Sequence, residues 1–266
     1  GTTPLEAALR GRVPVGNDAN PLCAHLLAPR LDPPTLDEVA ARLRALDLSV
    51  DPADPDLASE DLLTFFHPEK LAELIALRRY LLERERAGAL DRVDRWIRMV
   101  AVNRLTGHSS GFFSVYTLPP NQAVTAVAQR AINLKRGQTP PRREVVPRIL
   151  DKTRSRLRDL DEAARERLAL AAAQAQLVTG PADATPAIAT SSVDLVVTSP
   201  PFLDVVDYET DNWLRCWFTG VDAAAVSLTT PRDLASWQAV MTSVFRELRR
   251  VVRPGGHVAF ETGEVR

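Results

Sequence analysis

The apolar positions of this chain change period along its length, from a short helical stripe to strand-like runs, then to long helical stripes and back to strands. Leu5, Ala8 and Leu9 share one face of a first helix, which Gly11 stops before residues 13–15 begin a strand. Asn20-Pro21 opens the next helix. Residues 29–60, with Asp32-Pro33-Pro34-Thr35, Asp51-Pro52 and Asp54-Pro55 around one short helical stretch, read as a surface connection. Beyond them Leu71, Leu74, Ile75, Leu81 and Leu82 recur at helical spacing, as do Leu90, Val93, Ile97 and Val100. Each run predicts a helix with a buried face, and Trp96 packs beside the second.

The helical period breaks at residues 107–117, a glycine-bracketed polar loop carrying Phe112, Phe113 and Tyr116. Two roles suit those rings: a surface on which an unpaired base stacks, or anchors that hold the loop to a small core. Asn121 is placed to cap a helix through Val124, Val127 and Ala131. From Asp161 an alanine-rich helix leads to a strand at 177–180, and a second strand follows at 193–197. Trp237, Val240, Met241, Val244, Phe245, Leu248 and Val251 mark a long amphipathic helix. Arg253-Pro254-Gly255-Gly256 then makes a turn, and residues 257–261 start a further strand. Strands alternating with helices predict an α/β fold, with a mainly helical insertion at 29–160 between a first part at 1–28 and a second at 161–266.

Bulk composition narrows the setting. At 266 residues, 45% apolar and with a net charge of -1, the chain suits one large α/β domain carrying an insertion. No apolar stretch reaches membrane-spanning length and no signal peptide is visible, so a cytoplasmic protein without membrane association is expected. Cys23 and Cys216 make no disulfide framework, and four scattered histidines show no ligand spacing, so no metal is expected. The near-neutral total hides a basic block: Arg130, Lys135, Arg136, Arg142, Arg143, Arg148, Lys152, Arg154, Arg156 and Arg158 stand against only Glu144 and Asp151. Such a block suits phosphate binding or forms a solvated helix face; Arg142, Arg143, Arg154 and Arg156 are the candidate phosphate contacts.

The candidate chemistry sits in two segments. Thr198-Ser199-Pro200-Pro201-Phe202 puts a rigid polar turn directly after the apolar run 193–197, where open α/β folds place their ligands. At the other end, Gly1-Thr2-Thr3 heads a helix, and Asp18-Ala19-Asn20-Pro21 follows the next strand. Together these segments resemble the amino-methyltransferases of the S-adenosylmethionine-dependent DNA methylase family, over roughly residues 1–28 and 176–266. The resemblance implies a class I methyltransferase fold with a doubly wound, mostly parallel sheet. It also implies that the chain begins inside the glycine-rich motif and ends before the final hairpin.

By that resemblance S-adenosylmethionine is the cofactor, held by Gly1, Thr2 and Thr3 at the helix head, by Asp18 on the ribose diol and by Asp183 at the adenine. Backbone N–H groups at a helix start are unpaired donors, and a carboxylate after a strand suits a diol. Ser199, Pro200, Pro201 and Phe202 form the catalytic segment. The Ser199 hydroxyl and the Pro200 carbonyl are acceptors for an exocyclic amine, and Phe202 would stack on a base rotated out of the duplex. Serine at this position points to cytosine N4, while adenine N6 stays open.

Here the cofactor segment precedes the Pro-Pro segment, with the insertion between them. That order resembles the group whose target-recognition region is inserted there, and it departs from the order common among serine-type cytosine enzymes. Double-stranded DNA is the implied partner, with a cognate restriction endonuclease as a possible second one. RNA or protein-glutamine N-methylation remains open, as does a nucleic-acid-binding module with a degenerate, inactive domain.

Overall fold

The computed structural model describes residues 2–51, 53–117, 125–200, 208–226, 229, 231 and 233–261, the side chains of 208–211 excepted. In chain order come α1 (Thr2–Leu9), β1 (Val15–Asp18), α2 (Leu22–Leu31), α3 (Leu36–Ala45), α4 (Glu60–Leu63), α5 (Pro68–Arg86), α6 (Arg92–Val102) and α7 (Ala126–Arg136). They are followed by α8 (Val145–Leu157), α9 (Glu162–Ala172), β2 (Gln176–Thr179), β3 (Val193–Thr198), α10 (Tyr208–Thr219), α11 (Leu234–Val251) and β4 (Val252–Phe260).

Local chemistry sets most helix starts. Thr35 and Glu38 close a capping box on α3, and Asp91, Thr125, Asp161 and Asp233 each accept a first-turn N–H of α6, α7, α9 and α11. The cap of α7 is thus Thr125, whereas Asn121 lies outside the described residues.

The fold is mixed α/β with parallel strand pairing. β1 runs parallel to β2, from Val15 opposite Gln176 to Asp18 opposite Thr179. β3 runs parallel to β4, from Leu195 opposite His257 to Thr198 opposite Phe260. Among the described residues the strands form two separate pairs. Residues 253–256, expected as a turn before the last strand, instead bulge out within β4, because Val193 pairs with Val252 before the register jumps to His257. Gly255 has φ +79° there, and a Cβ on Gly256 would lie 3.0 Å from the Asp194 and Arg253 carbonyl oxygens, so the bulge needs both glycines.

Two cores hold these elements. A small one joins α1, α2 and α9 through Ala8, Leu27, Leu31, Leu168 and Ala171. The large one fills the helical region, with Phe65, Leu71, Leu74, Leu81, Ile97 and Phe113 fully enclosed. Val39 and Leu43 of α3 are buried in it, so residues 29–60 are not only a surface connection. The prolines punctuate this segment, but the apolar i, i+4 pair on α3 ties it to the core. Leu214 and Phe218 of α10 are buried in the same core, which anchors a helix from the C-terminal part onto the insertion.

The loop at 107–117 takes its anchoring role: Phe112 and Phe113 are buried, and Tyr116 stacks under Arg136 at 3.9 Å. Gly107 allows this closure, since a Cβ there would meet the Phe112 ring at 2.4 Å. Trp96 is also buried, its Nε1 donating to Thr153 Oγ1 at 3.1 Å. No helix among the described residues is long and apolar enough to cross a membrane.

Candidate active site

The carboxyl ends of β1 and β2 are locked together. Gly180 N–H donates to the Asp18 carbonyl at 3.0 Å, and Asn17 Nδ2 donates back to the Gly180 carbonyl at 3.1 Å. Asp18 and the loop carrying Asp183 therefore leave the same end of one strand pair. Both residues are exposed. One carboxylate oxygen of Asp18 accepts the Asn20 N–H at 2.8 Å, and the Asn20 side chain accepts Leu22 N–H at 3.0 Å where α2 begins. Asp18 thus shapes the turn into α2 and still presents its carboxylate to solvent.

Burial, then the neighbouring Asp18 carboxylate, pushes the Cys23 thiol up to about 12, so it stays protonated at neutral pH although the residue surface is exposed. Thr2 and Thr3 form the exposed first turn of α1, where backbone donors lack helical partners; Gly1 lies outside the described residues.

The Asp183 loop is clamped from its far side. Glu247 on α11 accepts from Thr185 N–H at 2.8 Å and Thr185 Oγ1 at 2.6 Å, while Arg250 donates to the carbonyls of Thr185 and Ile188 at 2.8 and 2.9 Å. The Arg250 guanidinium and the Thr185 donors hold the Glu247 carboxyl down to about 2.

At the end of β3 the ladder stops cleanly. Glu261 N–H donates to the Thr198 carbonyl at 2.9 Å, and the chain then leaves the sheet through exposed Ser199 and buried Pro200. The Ser199 hydroxyl makes no hydrogen bond to another described residue. Pro201 and Phe202 lie outside the described residues. Asp18 and Asp183 belong to the β1–β2 pair, Thr2 and Thr3 head α1, which packs on α2 and α9, and Ser199 and Pro200 belong to the other strand pair. The Thr185 loop after β2 is tied to α11, which packs on β4, while α10 packs on α2, α5 and α6.

A cleft of about 470 Å³ lies between α11 and β4, lined by Phe245, Leu248, Val252, Pro254 and Val258. Its lining includes Ser191, before the start of β3, and does not include Ser199.

The four candidate phosphate contacts have different fates. Arg142 pairs with Glu69 at 3.1 Å and lies near Glu144, and Arg154 pairs with Asp151 at 2.8 Å. Arg143 donates to the carbonyls of Ser109 and Phe112, both at 3.1 Å, and to that of Ser114, pinning the 107–117 loop. Arg156 is exposed and has no acidic partner within 4.0 Å among the described residues. No cluster of metal-ligating side chains occurs among the described residues.

Sequence reasoning missed Asn17 and the Glu247–Arg250 clamp. A polar residue inside a short strand was the available signal for Asn17, and an acid–base pair three apart on α11 was the signal for the clamp. Compared with known proteins, the chain matches no family model, no curated sequence and no solved structure.

Proposed function

We propose that the protein transfers a methyl group from S-adenosylmethionine to the exocyclic amine of a base in DNA, cytosine N4 first among the candidates, within a class I methyltransferase fold. The observation that carries this reading is the position of Asp18, the last residue of β1, and of Asp183 and Ser199-Pro200, which follow the carboxyl ends of β2 and β3. The residues fit the cofactor: an exposed helix head at Thr2 and Thr3 offers N–H donors, and the exposed Asp18 carboxylate is an acceptor for a diol. When bound, S-adenosylmethionine supplies an electrophilic methyl group on a sulfonium.

The protein's contribution is orientation. An exocyclic amine is a weak nucleophile because its lone pair is delocalised into the ring. Ser199 Oγ and the Pro200 carbonyl would accept its two N–H bonds, turn the lone pair out of conjugation and stabilise the positive charge that develops on nitrogen. Proline keeps a carbonyl acceptor while lacking a donor, so this turn offers only acceptors from Pro200. The lack of a described partner for the Ser199 hydroxyl supports this role, because the group is available to a substrate.

The test is incubation of the chain, in its full-length context, with labelled S-adenosylmethionine and mixed-sequence DNA, followed by mass identification of the modified nucleoside. N4-methylcytosine is expected. N6-methyladenine alone would remove the base assignment, and no labelled nucleoside despite measured cofactor binding would remove the reaction.

A further inference from the structure

We propose that Arg30, Arg104, Lys152 and Arg156 form one contact surface for the phosphodiester backbone of double-stranded DNA, in place of the separate arginines that the linear basic block suggests. This deepens the reading of the protein as a DNA-modifying enzyme and rests on it for the identity of the polyanion.

The four cations come from three packed elements. Arg30 lies in the last turn of α2, Arg104 just beyond the end of α6, and Lys152 and Arg156 four apart on one face of α8. α6 packs on both α2 and α8, and the buried Trp96–Thr153 hydrogen bond fastens α6 to α8 beside Lys152. Arg104 is held in place by stacking on Phe112 at 4.0 Å and by donation from Nε to the Asn103 carbonyl at 2.8 Å.

The contrast with the rest of the helical region gives the cluster its meaning. Buried Lys70 and Arg98 meet Glu144 and Glu85, both at 2.7 Å, and inward-facing Arg42 and Arg84 meet Asp91 and Asp94. None of Arg30, Arg104, Lys152 and Arg156 has a carboxylate within 4.0 Å among the described residues. Arg30 Nε is buried without a hydrogen-bond partner. Burial first, and then the Arg156 charge, holds Arg30, Arg104 and Lys152 below their ordinary values, as expected where like charges converge without a counterion. Like charges brought together repel, so an anion bound here relieves several repulsions together.

Arg156 is exposed, and Arg104 and Lys152 are partly exposed, so the patch opens to solvent and suits an extended polyanion. Arg143 and Arg148 border it and extend the field, their guanidinium groups donating to carbonyls of the 109–114 loop. A competing explanation is that the cations only complement the carbonyl ends of α2, α6 and α8.

The experiment measures binding of the chain, in its full-length context, to a fluorescent mixed-sequence DNA duplex without S-adenosylmethionine, across a salt series. Lys152→Gln with Arg156→Gln should weaken binding about tenfold at moderate salt and lower the slope of log affinity against log salt by about 2, while Arg142→Gln with Arg154→Gln changes affinity by less than about twofold. If the double variant does not fold, Arg156→Gln alone, at an exposed position, should lower the slope by about 1, with Arg156→Lys restoring it. Unchanged affinity and slope in a folded variant would overturn the proposal. A lowered Tm with intact DNA binding would assign the cations to helix ends and overturn it too, as would tighter binding of duplex RNA than of DNA. Because methyl transfer is not the readout, DNA binding without any methylation leaves this surface standing and removes the proposed reaction alone.

Discussion

The helical region and the strand pairs that flank it solve different problems. In the helical region, the Asp94 carboxylate is fully buried and meets Arg42, Arg84 and Tyr80, and Phe65, Phe113 and Phe218 are fully enclosed. On β3, Leu195 and Val197 are 57% and 48% exposed, and the Ser199 hydroxyl engages no described residue. Stability is therefore concentrated where the charges are neutralised and the apolar groups enclosed. The candidate chemistry stands at strand ends that contribute little to it, and substitutions in the two regions should separate folding from turnover.

The largest effect is expected at Asp94. Asp94→Ala leaves Arg42 and Arg84 without their buried counterion and should cost about 3–5 kcal/mol in urea unfolding. A loss under about 1 kcal/mol would mean that the network is not what holds the helical region.

Ser199→Ala should do the reverse, lowering methyl-transfer kcat about 10²–10³-fold with Tm unchanged, because it removes one acceptor for developing charge and no structural contact. A parallel fall in Tm and activity would make Ser199 a structural residue.

At the seam between the regions, burial and the Arg98 charge behind it hold the His25 imidazole down to about 4, against an ordinary 6.5. Between those values the unfolded chain binds the extra proton, so stability is full above about pH 6.5 and is lost as pH falls toward 4. His25→Gln should flatten that part of a Tm–pH profile by about 5 °C, with Glu85 the nearby group acting in the opposite sense. The smallest effect belongs to Leu195→Thr, expected within about 0.5 kcal/mol of the parent in the same unfolding assay. A larger loss would show that this exposed face is covered in solution.

Much of the architecture could be read from residue order alone, since helical and strand periods are local. The stripe at Leu71–Leu82 lies in α5, Val93, Ile97 and Val100 lie in α6 with Leu90 just ahead of its cap, residues 193–197 lie in β3, and Asp161 caps α9. These features depend on spacing and on side chains that hydrogen-bond within one turn. Tertiary structure decided which groups meet across long separations. It made residues 253–256 a bulge, because Val193 and Val252 pair before the register jumps, and it buried Val39 and Leu43 of a proline-rich segment. Among the basic residues the linear block could not show that Arg142 and Arg154 face carboxylates while Arg156 joins Arg30, Arg104 and Lys152. Charge along a chain is one-dimensional, whereas neutralisation depends on which helices pack together, and only the packing of α6 on both α2 and α8 sets that.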